Sequence, residues 1–263
     1  LNTFLNAMTY PDKTIYPVAS CNDKDFQNLM DVYLDSVFSP NIYKEQNIFR
    51  QEGWHYELKN PEDELTLNGV VYNEMKGAFS SADGVLEREI MSSLFPDTPY
   101  SNESGGDPQV IPELTYEDYL DFHRKYYHPS NSWIYLYGDM DVVEKLNWLD
   151  EEYLSHYDRI DVDSTIPEQA PFAAPVEHEI PYSISSTDST ENNTYLSCNW
   201  AVGNNLNREQ YIAFDILDYA LLSTQGAPIK QALLDAGIGT DIYGGYDSGT
   251  YQPIFSIVAK HAN

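Results

Sequence analysis

Glu74 is the residue whose type and position most strongly suggest chemistry. It recurs at helical spacing with Val71, Met75 and Ala78, so a helix here would place a carboxylate on an apolar stripe. Burying a carboxylate is costly unless it is paired, hydrogen-bonded or bound to a metal. Spacing alone leaves open an ion pair with Lys or Arg and a metal ligand, because one ligand does not make a catalytic zinc site.

The histidines do not add a metal-binding motif. The spacing of His123 and His128 puts them on different sides of a helix, and His55, between two aromatic residues, is interpreted as structural. The sequence has no H-x-x-E-H, H-E-x-x-H or G-x-S-x-G motif and no phosphate-binding glycine loop. We therefore expect no catalytic residue within this chain.

Charge and composition exclude some classes of partner. The chain has 14 basic and 42 acidic residues, a net charge of −28, so it would repel nucleic acid. A basic peptide is a better partner, although the acidity could serve solubility alone. No stretch approaches the ~18 apolar residues of a membrane span. Cys21 and Cys198 suit free thiols of a reducing compartment, so we predict the cytoplasm, with an organelle matrix as the alternative.

Hydrophobic periodicity predicts helices alternating with short strands. Leu1–Tyr10 and Thr14–Ser20 are predicted to form a hairpin, followed by a helix that Asn22 caps. Further helices are predicted over residues 43–51, 67–79, 84–94, 116–127, 141–157, 208–222 and 228–236. Further strands are predicted over residues 54–58, 133–137, 195–202 and 254–259.

Residues 158–181 are predicted to link two domains, because four prolines interrupt any regular element there. Each side mixes helices with locally pairing strands, which indicates an α+β fold. We expect two consecutive domains, each an antiparallel-rich sheet with helices packed on one face. The first covers residues 1–165, and residues 166–263 form the N-terminal part of a second, incomplete domain. A first residue other than Met favours a fragment or a processed product.

Several sequence blocks resemble the presequence protease branch of the pitrilysin/insulinase family of zinc metallopeptidases. The block Asn73-Glu74-Met75-Lys76-Gly77 is similar to the second zinc motif of that branch. Other similar blocks, in the family's order, are LNTFLNAMTYPD (1–12), QEGWHYEL (51–58), SGGDP (104–108), FHRKYYHPSN (122–131) and LLDAGIG (233–239). The resemblance covers nearly the whole chain and implies two metallopeptidase-type domains.

The resemblance implies a role for a few residues. Glu74 would be the third protein ligand of a zinc ion, and Asn6, Ala7 and Met8 would bind a peptide substrate by adding it to an edge strand. The first zinc motif, H-x-x-E-H, and the family's second half are absent, so the chain alone should be inactive. In the insulinase branch a second acidic residue lies seven positions before the ligand; here that position is Leu67.

The implied parent is a zinc metalloendopeptidase that degrades unstructured peptides in a closed chamber. Its partners would be peptide substrates and the remaining domains of the parent chain, with no nucleic acid and no membrane. Two alternatives remain open, a catalytically inactive structural subunit of the same fold and a peptide-binding module that does not cleave. A missing H-x-x-E-H motif in the parent would favour the structural role, and binding without turnover would favour the module.

Overall fold

The fold is known from a computed structural model that describes residues 3–262. Two compact units divide these residues. The first contains the residues up to Lys76 and Gly105–Thr165, and the second contains Gly77–Ser104 and the residues from Ile166 onward. The chain thus passes from the first unit to the second after Thr165. That Gly77–Ser104 also belongs to the second unit was not predicted. The roles assigned to residues 1–165 and 166–263 stay predictions.

The first unit begins with a long antiparallel hairpin. The outer strand pair is β1 with β4, and the inner pair next to the turn is β2 with β3. Their bounds are β1 (Thr3–Leu5), β2 (Met8–Thr9), β3 (Thr14–Ile15) and β4 (Val18–Ser20). The hairpin prediction is confirmed for these residues, whereas Leu1 and Asn2 of the predicted strand lie outside the described residues.

Side-chain caps fix where the helices of the first unit begin. The Asn22 side chain accepts from the Asp25 N–H at the start of the first helix. Thr115 forms a capping box with Asp118 at the start of the helix Tyr116–Tyr126. The helices are α1 (Asp23–Phe38), α2 (Gln46–Glu52), α3 (Val70–Ala78, which crosses the unit boundary), α5 (Tyr116–Tyr126) and α6 (Val142–Glu152).

Gly69 sets the start of α3. Strand β5 (His55–Glu57) pairs with β6 (Thr66–Asn68), so the helix predicted from residue 67 begins three residues later, at Val70. Between strand and helix, Gly69 has a φ of 152°, in a region that glycine alone adopts readily. A Cβ here would lie 2.2 Å from the Gly53 carbonyl oxygen, so the two backbones touch.

His123 ties α5 to the end of α1. The residue is buried, with 8% of its surface exposed. Nε2 lies 2.8 Å from the Val37 carbonyl oxygen and donates to it, which leaves Nδ1 to accept from the Tyr43 hydroxyl at 2.6 Å. The ring also stacks on Tyr127 with centroids 4.7 Å apart. Burial lowers the pKa of His123 below its usual value, and the bond to Val37 opposes this shift.

The strand predicted over residues 133–137 is wrong, because no strand in residues 3–262 pairs with it. Side chains here are largely exposed, with Trp133 fully so. The rings of Tyr135 and Tyr137 are parallel within 7°, with centroids 6.4 Å apart. That spacing is close to twice the ~3.3 Å rise of an extended chain, so these residues are extended without a partner.

The second unit is built on a three-stranded antiparallel sheet with β9 in the centre. Its order is β7 (Thr194–Ala201), β9 (Ile254–Ala262) and β8 (Asp241–Asp247). The central strand is the most buried, with Phe255 and Val258 among its core residues. Strand β8 was not predicted, because Gly244 and Gly245 interrupt its apolar alternation.

Helices α4 (Ala82–Leu94), α7 (Arg208–Asp218) and α8 (Pro228–Asp235) accompany this sheet, and a π-helical turn continues α7. Phe214 of α7 stacks on Tyr246 of β8. Lys260 Nζ of β9 lies 2.6 Å from the Asp83 carboxylate of α4. A buried core cluster is formed by Phe95, Tyr100 and Ile254. Residues 158–181 contain no helix or strand, and the α+β prediction is confirmed.

We expect Gly69→Ala to destabilise the chain and Gly77→Ala to leave it unharmed. The first Cβ would collide with the Gly53 backbone and strain φ, at about 2 kcal/mol or more of the free energy of unfolding. The second would meet nothing within 4 Å on an exposed helix surface and should stabilise by about 0.5 kcal/mol. Urea unfolding measures both, and equal stabilities would contradict the close approach.

We also expect His123 to make stability fall on mild acidification. Its folded-state pKa lies below 6.5, so the unfolded chain takes up the proton first and stability is lost as pH falls through 6.5. The pKa values of Asp25 and Asp118 are lowered from 3.8, so these carboxyl groups change the stability only at a more acidic pH. His123→Gln, which does not titrate, should flatten the loss between about pH 7 and about pH 5. Equal losses in urea unfolding at both pH values would contradict this.

Candidate metal and peptide-binding residues

Glu74 lies on α3, but the stripe around it is not buried. Val71, Glu74 and Ala78 are exposed, Met75 is half-buried, and the buried residue of this helix is Tyr72. The prediction that Glu74 occupies a buried apolar face is therefore wrong for this chain. The error arose because the helical period identifies residues that share a face without showing which face packs on the core.

Neither proposed partner of Glu74 is present in the described part of the chain. Within residues 3–262, no basic side chain forms an ion pair with Glu74, so the buried salt bridge is not formed. In the same range, no three His, Cys, Asp or Glu side chains converge closely enough to hold a metal ion. A catalytic zinc site normally takes three protein ligands, so these residues alone do not fit one.

The helix that carries Glu74 is nevertheless held firmly at its start. The Asn68 side-chain oxygen accepts from the Gly69 N–H at 2.8 Å and from the Asn73 side-chain amide at 2.6 Å. The Tyr72 N–H donates to the Gly53 carbonyl oxygen at 3.3 Å. These roles of Asn68 and Gly69 were not predicted from the sequence, although Asn-Gly is a common turn signal. Glu74 is thus an exposed carboxylate on a well-positioned helix.

Asn6 and Ala7 are exposed and lie between strands β1 and β2 of the hairpin, and the half-buried Met8 begins β2. The Asn6 N–H donates inward to the Pro17 carbonyl oxygen at 3.1 Å, and Met8 pairs with Ile15. The next amide, of Ala7, forms no backbone hydrogen bond in the hairpin and is bonded to the Asn6 side-chain oxygen at 2.9 Å. A peptide that paired with this outer edge would have to replace that side-chain bond.

Asp25 secures the foot of the same hairpin to α1. The hydroxyls of Ser20 and Thr3 donate to one of its carboxylate oxygens at 2.6 and 2.7 Å. These two bonds lower the pKa of Asp25, the one from Ser20 more strongly, because they stabilise the charged form. Both open ends of the hairpin are thereby joined to one side chain of the helix.

The histidines singled out in the sequence have structural partners. His55 Nδ1 lies 2.7 Å from the Arg50 carbonyl oxygen, as expected for a structural residue. His128 Nδ1 accepts from the Ser130 N–H at 3.1 Å, where it caps a short 3-10 helix beyond the end of α5. Together with the buried His123, they give no indication of a metal centre.

The comparisons with known proteins indicate a peptidase family. The family described as "Peptidase M16 inactive domain" matches residues 113–262, more than half of the chain. Protein HypA of Clostridium perfringens is 53% identical over 100% of this chain and 27% of its own length. Presequence protease 1, chloroplastic/mitochondrial, of Arabidopsis thaliana is 42% identical over 99% of this chain and 24% of its own length. The chain thus spans about a quarter of these relatives.

Solved structures share the fold. An M16-like peptidase from Alicyclobacillus acidocaldarius superposes with a TM-score of 0.64 at 20% identity, over 98% of this chain and 56% of that one. At this identity the similarity concerns the fold alone, and it agrees with the predicted α+β architecture. The resemblance found in the sequence is confirmed by the family match: the chain belongs to the M16 peptidase family.

Proposed function

We propose that this chain is part of a zinc-dependent endopeptidase that degrades unstructured peptides in a closed chamber. The observation that carries the proposal is the 42% identity, over 99% of this chain, to a protein named presequence protease. Because the chain spans about a quarter of such relatives, activity and substrates are proposed for the longer polypeptide. The 263-residue chain alone is expected to be inactive, since its sequence contains no H-x-x-E-H motif.

Glu74 is the proposed zinc ligand of that polypeptide. Its exposure supports the assignment, because a ligand must reach a metal that other residues also contact. The rigid start of α3 supports it as well, since a metal ligand is best held on a regular element. The remaining ligands and the catalytic base would come from outside this sequence, so we assign no reaction step to the residues described.

Peptides are the proposed substrates, with Asn6, Ala7 and Met8 as the strand they add to. The hairpin supports this role, because its outer edge is free of a neighbouring strand within residues 3–262. Main-chain pairing would give weak sequence preference. The net charge of −28 favours basic peptides, and other domains of the same polypeptide are the remaining proposed partners.

A catalytically inactive structural or peptide-binding member of the same fold is the second candidate. One observation favours it: the matching family description is that of an inactive domain, and its match over residues 113–262 does not include Glu74. The two candidates differ in whether the longer polypeptide binds zinc. Metal content therefore separates them before any substrate is known.

We propose the cytoplasm as the compartment, with an organelle matrix as the alternative. Cys21 and Cys198 are both free and exposed, which suits a reducing environment. Within residues 3–262, no helix combines the length and apolarity needed to cross a bilayer.

We expect Glu74→Gln to abolish zinc binding by the polypeptide expressed from the complete gene. The substitution keeps the side chain's size but removes the anionic donor. Because Glu74 is exposed and has no ion pair in the described residues, the fold should change in stability by about 0.5 kcal/mol or less. Glu87→Gln on α4 is the matched control, with the same charge change at another exposed site.

Metal content by mass spectrometry and a thermal melt should be measured on the same samples of these variants. Loss of zinc in Glu74→Gln alone, at the melting temperature of the unsubstituted protein after treatment with a chelator, supports the ligand role. A Glu74→Gln protein that keeps its zinc refutes it. A polypeptide that holds no zinc before substitution supports the inactive member of the fold.

We expect Ala7→Pro to impair peptide cleavage by the same polypeptide. Among residues 3–262 the Ala7 N–H bonds only the Asn6 side chain and no backbone group of the hairpin, so proline should spare the pairing with β3 and β4. A peptide at the outer edge would lose a main-chain donor, and KM should rise about tenfold. Zinc content and the thermal melt serve as controls. Unchanged kinetics in a folded variant would remove this strand from the binding site.

A further inference from the structure

Tyr16 lies across the hairpin from Ala7, the central residue of the proposed peptide-binding strand. The same register holds on both sides of this position, in the strand pairs β1–β4 and β2–β3, which places these two residues opposite each other. The bond from the Asn6 N–H to the Pro17 carbonyl oxygen agrees with this register. Opposite residues of an antiparallel pair have Cβ atoms about 5 Å apart on one face of the hairpin. The position of Tyr16 therefore helps to set the position of Ala7.

The Tyr16 side chain connects the hairpin to the end of α5. Its hydroxyl oxygen lies 3.0 Å from that of Tyr127, the residue directly after α5. The two rings meet edge to face, with centroids 6.5 Å apart. Burial raises the pKa of Tyr16, and the bond to Tyr127 adds to the shift, so the Tyr16 hydroxyl keeps its proton at neutral pH. The two residues thus form a partly buried hydrogen-bonded pair.

Tyr127 is itself fixed by the buried His123. The two rings stack with an interplanar angle of 20°. His123 is bonded to the Val37 carbonyl oxygen at the end of α1 and to the Tyr43 hydroxyl. The hydroxyl that Tyr16 reaches is therefore attached to a part of the first unit where two helices meet.

The apolar side chains of the hairpin do little to hold it in place. Phe4 is 49% exposed, Leu5 is 56% exposed and Ile15 is 40% exposed. Asp25 secures the foot of the hairpin, whereas Tyr16 is the side chain that reaches α5 from its middle. An edge that is already ordered binds a peptide more tightly, because less conformational entropy is lost on binding.

We propose that the hydrogen bond between Tyr16 and Tyr127 is a positioning contact for the peptide-binding strand. It holds Ala7 and its neighbours in the place where a substrate main chain would pair. The inference rests on the proposed function, in which peptides add to this strand. Tyr16 acts through the main chain of the hairpin, so its loss affects the binding of peptide more than the cleavage step.

Tyr16→Phe in the polypeptide expressed from the complete gene tests this role, because it removes the hydroxyl and keeps the ring. Cleavage is measured with a basic, unstructured peptide that carries a fluorophore and a quencher. We expect KM to rise about fivefold while kcat changes by less than about twofold. Tyr153→Phe is the matched control, since it removes a hydroxyl bonded to Asp31 at 2.7 Å in the same unit and should leave KM unchanged.

Tyr127→Phe and the double variant show whether the two hydroxyls act as a unit. Each single substitution breaks the same bond, so the double variant should raise KM no further than either single one. Increases in KM that multiply in the double variant contradict action through this bond. Hydrogen exchange of the amides of residues 3–20 should become faster in Tyr16→Phe and stay unchanged in Tyr153→Phe.

Ala7→Pro, measured beside these variants, separates failure of this inference from failure of the proposed function. If Ala7→Pro raises KM and Tyr16→Phe does not, the strand binds peptide but Tyr16 does not position it. If neither substitution changes KM, the strand lies outside the binding site, and the proposed peptide role fails as well. A lower melting temperature of Tyr16→Phe at an unchanged KM marks a bond that serves stability alone and overturns the inference.

Discussion

The first unit depends on the contact between two backbones at Gly69. No side chain fits there, because a Cβ would lie 2.2 Å from one carbonyl oxygen of the neighbouring turn. This contact lets strand β6 end and helix α3 begin within two residues, and it lets the Gly53 carbonyl oxygen accept from the Tyr72 N–H in the first turn of the helix. The direction of α3, and with it the position of Glu74, follows from a constraint that only glycine meets.

The charge of the chain is unbalanced in a way that the ion pairs do not correct. Lys145 is almost fully buried with its Nζ 3.2 Å from Asp23, and Arg124 bridges Glu117 and Asp121 on the surface of α5. With 14 basic and 42 acidic residues, most carboxylates have no basic partner of their own. A negative charge of this size opposes the association of copies and attracts cationic ligands, which is why basic peptides are the proposed substrates.

Sequence patterns predicted the elements better than their surroundings. The cap at Asn22 and the helical period placed the helices within a few residues, because both signals are local. Strand β8 was missed because glycines break its alternation, yet β9 supplies the pairing that forms it. Burial of Glu74 was predicted but is not observed, because the helical period of a sequence cannot show which face of the helix packs on the core. The metal and peptide roles came only from resemblance.

Two features of the first unit, the Glu74 carboxylate and the extended segment 133–137, each lack an interaction partner within residues 3–262. A single exposed carboxylate on a rigid helix cannot hold zinc, and a single extended segment cannot satisfy its own amides. Neither feature is easily explained by the stability of this chain, because solvent already satisfies Glu74, while exposure of Trp133 is unfavourable. In the proposed longer polypeptide, Glu74 would be one of several ligands that hold a zinc ion together.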